Sequence, residues 1–271
     1  MTSFLPVGKL NNKLLQEILS EINNVGSTPK IGEDSAMISI RDQEDLLVSS
    51  DPITFDSENI GKYVLDVCAN DIYAAGGVPK WFLLTTLIPP KTRFSDLKKV
   101  LSEVNERAQL LNIDIVGGHT EITEAVNKII LSGTILGTFN KNFINGQVVT
   151  ENQTIILGGL AGIEGSKIIT ENIKLSNSKL KNLSNLASNL SISVSEIAEI
   201  AISTGKIIKM HDPTEGGIST AIHEICEFSN VGCEIDINAI NFVSDFKEVC
   251  ETLNINPLGV ISSGCLLIIC E

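Results

Sequence analysis

The stretch from residue 36 to residue 137 changes repeatedly between two hydrophobic periods, and this feature restricts the possible folds more than any other. In one segment, apolar residues recur every four positions, at Ile60, Val64, Cys68 and Ile72. This pattern predicts a helix that ends at the Gly-Gly pair that follows. A second amphipathic helix is predicted over Ser95–Leu111. Apolar runs between turn residues predict strands at Ala36–Ile40, Leu46–Ser50, Trp81–Ile88, Ile113–Val116 and Lys128–Gly137.

The resulting order, β-β-α-β-α-β-β, is typical of an α+β layer in which helices cover one face of a sheet. The second half predicts another mixed layer that opens with the strand Thr154–Gly158. A stretch rich in Asn, Ser and Lys, from Glu171 to Asn189, is expected at the surface. The remaining predicted elements are the helices Ser193–Ser203 and Gly216–Phe228 and the strands Cys233–Ile237 and Cys265–Cys270.

A chain of 271 residues is long enough for two domains of about 100 to 150 residues each. We expect residues 1–35 to hold an amphipathic helix, Leu10–Ile22, and a mobile loop rich in Gly and Pro. Residues 36–150 are then the first domain and residues 151–271 the second.

The composition excludes several classes of protein. Hydrophobic residues make up 43% of the chain, but no apolar run reaches the roughly 18 residues that a bilayer requires. The start, MTSFLPVGKL, lacks the pattern of a secretory signal, so we expect a cytoplasmic protein. A net charge of −13 disfavours binding to nucleic acid or anionic membranes, and a phosphate ligand would need a metal cation or nearby lysines. The six cysteines lack metal-ligand spacing and are interpreted as free thiols.

Four short segments place acidic or histidine side chains after small residues at the ends of apolar elements: GEDSA, SSDPI, CANDI and GGHTE. They contain Asp34, Asp51, Asp71 and the pair His119 and Glu121. Neighbouring carboxylates repel by about 4 kcal/mol per pair at an effective dielectric constant of about 20, unless a cation or proton intervenes. Ligand sets made of oxygen favour Mg²⁺, whose coordination is usually completed by water and substrate phosphates. Each Asp taken alone is also explained as a helix cap or turn residue.

The glycine-rich segments near Lys9, Gly26 and Gly32 could fold over phosphate groups, although such loops are weak signals. The sequence contains neither a P-loop motif nor a dinucleotide-binding glycine motif after a strand. Any nucleotide site must therefore be of another kind.

The segment HDPTEGG, from His211 to Gly217, is the second constellation of interest. Asp212 and Thr214 could cap the following helix, while the two glycines could expose its first amides to an anion. A plain helix cap explains the polar residues equally well but not the paired glycines. His211 is either a packed, hydrogen-bonded residue or a base.

Taken together, the segments VGKL, GED, SSDPITF, CANDIYAAGGVPKWF, VGGHTEIT, HDPTEGG and SSGCLLI resemble the AIR synthase-related superfamily, and within it the HypE group. The resemblance spans nearly the whole chain and depends on the order of all the motifs. It implies a two-domain PurM-like fold, with a ferredoxin-like N-terminal sheet that pairs across a homodimer. It also implies Mg-ATP chemistry, beside the cytoplasmic location and the lack of a nucleic-acid or membrane partner expected from the composition.

The same resemblance implies roles for individual residues. The metal ligands would be Asp34, Asp51, Asp71 and Glu121. Catalysis would involve His211, Asp212 and Thr214. Nucleotide contacts would come from Lys9, Gly32, Glu33, Asn70, Gly117, Gly118, His119 and Thr120.

The implied reaction is activation of a carboxamide-like oxygen by phosphoryl transfer from ATP, on a small-molecule or carbamoylated substrate, with a hydrogenase-maturation protein as partner. Two alternatives stay open: a small-molecule enzyme similar to thiamine-phosphate kinase or a cyclo-ligase, and a catalytically silent nucleotide-binding scaffold. The sequence differs from the group's pattern at His119, at Glu215 and at its CLLIICE ending. That ending indicates either an incomplete second domain or a branch without the cysteine-tail chemistry.

Overall fold

The computed structural model describes residues 45–54, 59–139, 143, 147–173 and 178–271, together with the backbone of Ala36–Ile38 and the single positions Lys13 and Gln16. Those two positions are helical and exposed, and the rest of the predicted helix Leu10–Ile22 lies outside the described residues.

The first half follows the predicted element order. Its elements are β1 (Ala36–Ile38), β2 (Leu46–Ile53), α1 (Ile60–Ala74), β3 (Gly77–Ile88), α2 (Phe94–Leu111), β4 (Asp114–Ile122) and β5 (Ile130–Phe139). The strands form one sheet in the order β1-β2-β5-β3-β4. Neighbouring strands are antiparallel except β3 and β4, which run parallel because α2 carries the chain back across the sheet.

One face of this sheet is covered by helix and the other is open. Along β3 the side chains alternate, with Phe82 and Leu84 buried while Trp81 and Leu83 are each 36% exposed. Helix α1 packs on the buried face and against α2, and its own side chains are buried on nearly all sides. We call these two surfaces the helix-covered face and the open face.

The second half is built around a smaller sheet. Its elements are β6 (Thr154–Gly159), α3 (Ile163–Asn172), α4 (Ser178–Ser188), α5 (Ser195–Ser203), β7 (Ile207–His211), α6 (Gly217–Ser229), α7 (Phe246–Thr252) and β8 (Cys265–Cys270). The apolar strand β8 lies in the centre, antiparallel to β6 and β7 on either side. The central position explains why this strand reads as a continuous run of hydrophobic residues.

The two halves share a hydrophobic core. One contiguous cluster contains Val64 and Leu65 of α1 together with Ile163, Leu183 and Phe246 of the second half. All five side chains are buried, so the halves pack through apolar contacts rather than through a solvated linker.

Several sequence predictions are corrected. Residues Cys233–Ile237 form no strand, and the chain there leads into a single 3-10 turn at Ile237–Ala239. The polar stretch Glu171–Asn189 contains α4, whose spaced apolar residues are buried against the core: Leu180, Leu183 and Ala187. Helices α3 and α7 and strand β7 were not predicted, because each is short and α3 is rich in polar residues.

Within the described part of the chain, no helix is both long enough and apolar enough to cross a bilayer.

Candidate nucleotide and metal site

Asp51 and Asp71 meet on the helix-covered face of the first sheet, although 20 positions separate them in the chain. Asp51 lies near the end of β2 and Asp71 in the last turn of α1. The Ser49 hydroxyl lies between them: it donates a short hydrogen bond to Asp71 Oδ2 and lies 3.4 Å from Asp51 Oδ2. Asp51 is half-buried and Asp71 is 8% exposed, so the pair forms an oxygen-rich cluster at the helix-sheet junction.

The residues packed beside this pair are tightly spaced and include a neutral thiol. Gly133 of β5 pairs with Asp51, and a Cβ atom there would lie only 2.6 Å from Cys68 Sγ. Burial raises the pKa of the Cys68 thiol well above its ordinary value, and the neighbouring Asp51 and Asp71 raise it further. The thiol therefore stays protonated, and the oxygen atoms remain the groups that can bind a cation.

His119 and Glu121 do not join this pair, which corrects the expectation that Glu121 shares a metal with Asp51 and Asp71. In β4 they pair with Thr85 and Leu87, on the open face of the sheet. Two strands lie between β2 and β4, so the strands are about 14 Å apart at about 4.8 Å per spacing. His119 Nε2 lies 3.7 Å from Glu121 Oε2, and both side chains are more than half exposed. Within one chain, a single ion cannot contact both groups of acids.

The glycines of the GGHTE segment are explained partly by strand packing. A Cβ atom on Gly118 would lie 2.0 Å from the Leu84 carbonyl oxygen, and the residue has φ +150°. Gly117 is open, with only Leu83 Cδ2 at 3.8 Å from an added Cβ. Gly118 and Thr120 fall on the side of β4 that continues the helix-covered face, because they pair with Leu84 and Thr86.

Asn70 holds the two halves together, and this corrects its predicted role as a nucleotide contact. Its side chain is completely buried. Nδ2 donates to the Ile192 carbonyl at 2.8 Å, and Oδ1 accepts from the Val194 amide at 3.0 Å. Because Ile192 and Val194 precede α5 of the second half, the Asn70 amide fixes α1 to that segment.

In the HDPTEGG segment, His211 is a packed residue of β7. Its Nε2 lies 3.0 Å from Glu224 Oε2 of α6, and both side chains are buried. Asp212 is 2% exposed and lies close enough to Cys265 to raise the pKa of that thiol further, above the effect of burial. Thr214 is half-buried, and its carbonyl accepts from the Gly217 amide at 2.9 Å.

The paired glycines of this segment are needed for backbone geometry. Both have positive φ, and the N-cap position of α6 is Gly216 rather than Asp212 or Thr214. A Cβ atom on Gly217 would lie 2.3 Å from the Val260 carbonyl oxygen, so the loop before β8 packs directly on the turn. The Ser262 amide donates to the Pro213 carbonyl at 3.1 Å and fixes the same contact.

The turn lies next to the end of α1. Ala74 of α1 and Met210 of β7 belong to one apolar cluster, and His211 follows Met210 directly. Asp71 lies three residues before Ala74, about 4.5 Å along the helix axis. The carboxylates of the first half and the HDPTEGG segment of the second therefore approach the same end of α1.

Four predicted site residues lie outside the described part of the chain: Lys9, Gly32, Glu33 and Asp34. Among the described residues, no group of three or more His, Cys, Asp or Glu side chains could hold a metal ion. The described residues thus bring two carboxylates together, those of Asp51 and Asp71.

Sequence reasoning missed three groups near these elements. Ser49 could have been suspected, because it lies two positions before Asp51 and so points to the same face. Glu224, which holds His211, gave no signal, since 13 positions separate the two residues. Glu164 is completely buried beside Ser263, and burial raises its pKa to about 7. A lone Glu in a glycine-rich turn does not reveal such burial.

Comparison with known proteins matches both halves of the chain. Residues 32–139 match the N-terminal domain and residues 150–271 the C-terminal domain of the AIR synthase related protein family. A putative hydrogenase expression/formation protein of Methanocaldococcus jannaschii is 28% identical over 268 residues, covering 95% of this chain and 78% of the relative.

Two further relatives differ in their reactions. Carbamoyl dehydratase HypE of Escherichia coli is 27% identical over 237 residues, covering 82% of this chain. Thiamine-monophosphate kinase of Bacillus subtilis is 25% identical over 233 residues, covering 81% of this chain and 70% of the kinase. The chain spans 65% of the length of the Escherichia coli protein.

Solved structures agree with this fold. A HypE–HypF complex superimposes with a TM-score of 0.80 at 19% identity, covering 96% of this chain and 85% of the matched chain. HypE in complex with ATP gives a TM-score of 0.73 at 21% identity, covering 98% and 79%. Matches to both domain models, in order and over most of the chain, show that it belongs to the AIR synthase-related protein family.

Proposed function

We propose that this protein is a Mg-ATP-dependent enzyme of the HypE type, which activates a carboxamide-like oxygen by phosphoryl transfer during hydrogenase maturation. The observation that carries the proposal is the meeting of Asp51 and Asp71 around Ser49, next to the HDPTEGG segment. The relatives named carbamoyl dehydratase and the ATP complex of HypE support it.

The two carboxylates fit Mg²⁺. They offer hard oxygen atoms beside a neutral thiol, and the ion prefers few protein ligands with the rest from water and phosphate. Asp34, from the GED segment, is proposed as a third ligand. Bound Mg²⁺ would neutralise charge on the ATP phosphates, which a chain of net charge −13 would otherwise repel.

The residues proposed to contact the nucleotide are Lys9, Gly32, Glu33, Gly117, Gly118 and Thr120. The predicted nucleotide contact of His119 is corrected, because its side chain lies on the open face of the sheet. The chain-specific role of the HDPTEGG segment is to orient groups: Glu224 holds the His211 ring, and the loop at Ser262 holds Asp212 and Thr214 in place. In the proposed reaction, the acceptor oxygen attacks the γ-phosphorus, the bond to the β-γ bridging oxygen breaks, and ADP leaves.

We further propose a homodimer that forms through the open face of the first sheet. Three apolar side chains of β3 are exposed on this face: Val78, Trp81 and Leu83. Exposed apolar surface of this kind is typical of protein interfaces. Such a dimer would cover His119 and Glu121 and give them a role at the interface, and light scattering should detect a particle of twice the chain mass.

The division into residues 1–35, 36–150 and 151–271 remains our proposal for the domains. A cytoplasmic location and a hydrogenase-maturation partner protein are proposed with it, the latter because a related structure is a HypE–HypF complex.

The first experiment measures thermal unfolding with and without Mg-ATP. A ligand at about 100 times its Kd stabilises the folded state by about 2.7 kcal/mol, which is a shift of several degrees in Tm. The Asp71→Asn variant should lose the magnesium-dependent part of this shift. The matched control is Asp114→Asn, an exposed aspartate at the start of β4, which should retain it. A full shift in the Asp71 variant would refute the proposed ligand role.

The second experiment identifies the acceptor by phosphate or ADP release. A carbamoylated peptide, thiamine phosphate and formylglycinamidine ribotide are compared as substrates. ATP turnover with the peptide supports the proposal, and turnover with thiamine phosphate supports the kinase alternative that the 25% identity to thiamine-monophosphate kinase suggests. Turnover with the ribotide supports a cyclo-ligase. Nucleotide binding without turnover of any substrate supports the scaffold alternative.

A further inference from the structure

A cavity of about 660 Å³ lies between the two halves, away from the carboxylate pair. Its walls come from α1 and α2 on one side and from α3, the end of α4 and the loop at residues 189–192 on the other. Asp66 lines it, and five residues separate Asp66 from Asp71. At about 100° per residue, the two side chains leave α1 about 140° apart, so the cavity and the proposed metal site face different directions.

Three cationic side chains from three helices converge on this cavity. They are Lys62 of α1, Arg107 of α2 and Lys167 of α3. All three lie close enough to the buried Asp66 carboxyl to lower its pKa. Burial has the larger, opposite effect, so the pKa of Asp66 is raised to about 6. In a chain with net charge −13, such convergence of positive groups is unusual.

Two of the three cations, Arg107 and Lys167, are held in place from within the protein. Arg107 Nε donates to Asp66 Oδ1 at 2.6 Å, and Arg107 Nη2 lies 3.5 Å from Ser191 Oγ. Lys167 Nζ donates to the Leu190 carbonyl at 2.8 Å and lies 5.7 Å from the centre of the Tyr63 ring. These contacts use part of the donor capacity of each group, since a guanidinium has five N–H donors and an ammonium three.

The charge balance limits what the cavity can accept. The negative charge of Asp66 offsets the positive charge of Arg107. Two exposed carboxylates, Glu106 and Glu171, also line the cavity. A polyanion such as a triphosphate would meet these acids. A ligand with one anionic group and a polar remainder fits better, because much of the remaining lining consists of Ser, Thr and Asn side chains.

We propose that this cavity is a second binding site, for a small metabolite whose single phosphate or carboxylate group binds between Lys62, Lys167 and the Arg107 guanidinium. The site goes beyond the proposed ATP-dependent activity and uses none of its residues. A ligand bound there contacts helices of both halves and so stabilises their packing.

The test is a calorimetric titration of the full chain with sulfate at constant ionic strength, since sulfate keeps its charge over the working pH range. Wild type is expected to bind sulfate with a millimolar Kd. Lys62→Gln and Lys167→Gln should each weaken binding about tenfold, as removal of a charged hydrogen-bond donor does. Lys98→Gln removes an exposed lysine of α2 outside the cavity and should leave the Kd unchanged.

Separate arms distinguish the ligand sources and the two sites. Titration with inorganic phosphate and with acetate shows whether a phosphate or a carboxylate is preferred. Repeating the sulfate titration with a saturating non-hydrolysable Mg-ATP analogue separates this site from the nucleotide site, where the analogue should not compete. Because Lys62 is exposed, its variant should fold normally, and the Tm without anion checks this. Unchanged sulfate binding in both Lys62→Gln and Lys167→Gln, full competition by the analogue, or no binding of any anion would overturn the proposal.

Discussion

Buried carboxylates occur in both halves of this protein, but their surroundings differ. Asp71 of the first half is joined through a serine hydroxyl to the half-exposed Asp51, which a cation can reach from solvent. Glu164 of the second half is completely enclosed, with Ser263 beside it and Lys167 and Glu215 as the charged groups that influence it. Glu224, also buried, is bonded to His211.

The difference shows how burial decides what a carboxylate can do. An enclosed acid without a cation is stabilised by a proton or a hydrogen-bond partner, so it serves the fold. Two adjacent acids, of which one is buried and one partly exposed, repel each other less when a cation binds between them, so they can serve a ligand. We therefore expect substitutions of the enclosed acids of the second half to change stability. Substitutions of Asp51 and Asp71 in the first half should change Mg-ATP binding.

The largest effect on stability is expected at Asn70, the residue next to Asp71. Asn70→Ala leaves the Ile192 carbonyl and the Val194 amide buried without their bonds, at about 1 to 3 kcal/mol each. The free energy of unfolding, measured with urea, should fall by about 4 kcal/mol while a Tm shift with Mg-ATP persists. Asn70→Asp retains the acceptor for the Val194 amide but places a carboxylate oxygen against the Ile192 carbonyl, so it should also lower the free energy of unfolding. If Asn70→Ala keeps wild-type stability, the distinction between a structural Asn70 and a ligand-binding Asp71 is wrong.

Glu164→Gln should alter the pH dependence of stability. The folded pKa of about 7 lies above the ordinary 4.5, so the stability linked to this group is present below pH 4.5 and is lost as the pH rises through 7. The loss between pH 4 and pH 8 amounts to about 3 kcal/mol in wild type.

The neutral Gln variant should lack this loss and be more stable than wild type at pH 8. Urea unfolding at several pH values measures it. Glu196→Gln, at an exposed position of α5, serves as the control and should follow wild type. Parallel curves for wild type and the Glu164 variant would show that the carboxyl is not enclosed.

The smallest stability effect is expected for Ser49→Ala. Loss of one hydroxyl bond should lower the free energy of unfolding by about 1 kcal/mol. Mg-ATP affinity should fall several-fold, because the hydroxyl no longer orients Asp71. Ser50→Ala is the matched control, since its hydroxyl bonds to the Gly133 carbonyl and Thr134 on the other face of β2. Equal affinities for the two variants would contradict the orienting role.

Most of the first half could be predicted from the sequence, because its periods are long and regular. The order of five strands and two helices follows from the patterns around Ile72 and Trp81. The strand β4 proved longer than predicted, since the GGHTE segment, with its two glycines, lacks a strand-like composition. The second half was harder to predict, because α3, α4 and α7 are short and α3 and α4 carry many polar residues.

The site was only partly predictable for a geometrical reason. A motif reports which residues are present, but the face of a strand depends on register. Asp51 and Asp71 were expected to lie close together, and both contact Ser49. Glu121 was expected beside them, but the register that pairs Thr85 with His119 places Glu121 on the opposite face. Asn70 and Gly217 were assigned to ligands because their contacts lie more than 40 positions away along the chain.

The shared core has a consequence for synthesis on the ribosome. The apolar surface of α1 that packs against Ile163, Leu183 and Phe246 remains uncovered until those residues emerge. At about 5 to 20 residues per second, translation of the second half takes on the order of 10 seconds. During this interval the nascent first half exposes apolar surface that can associate with other chains. Efficient expression should therefore depend on translation speed and on chaperones that shield α1.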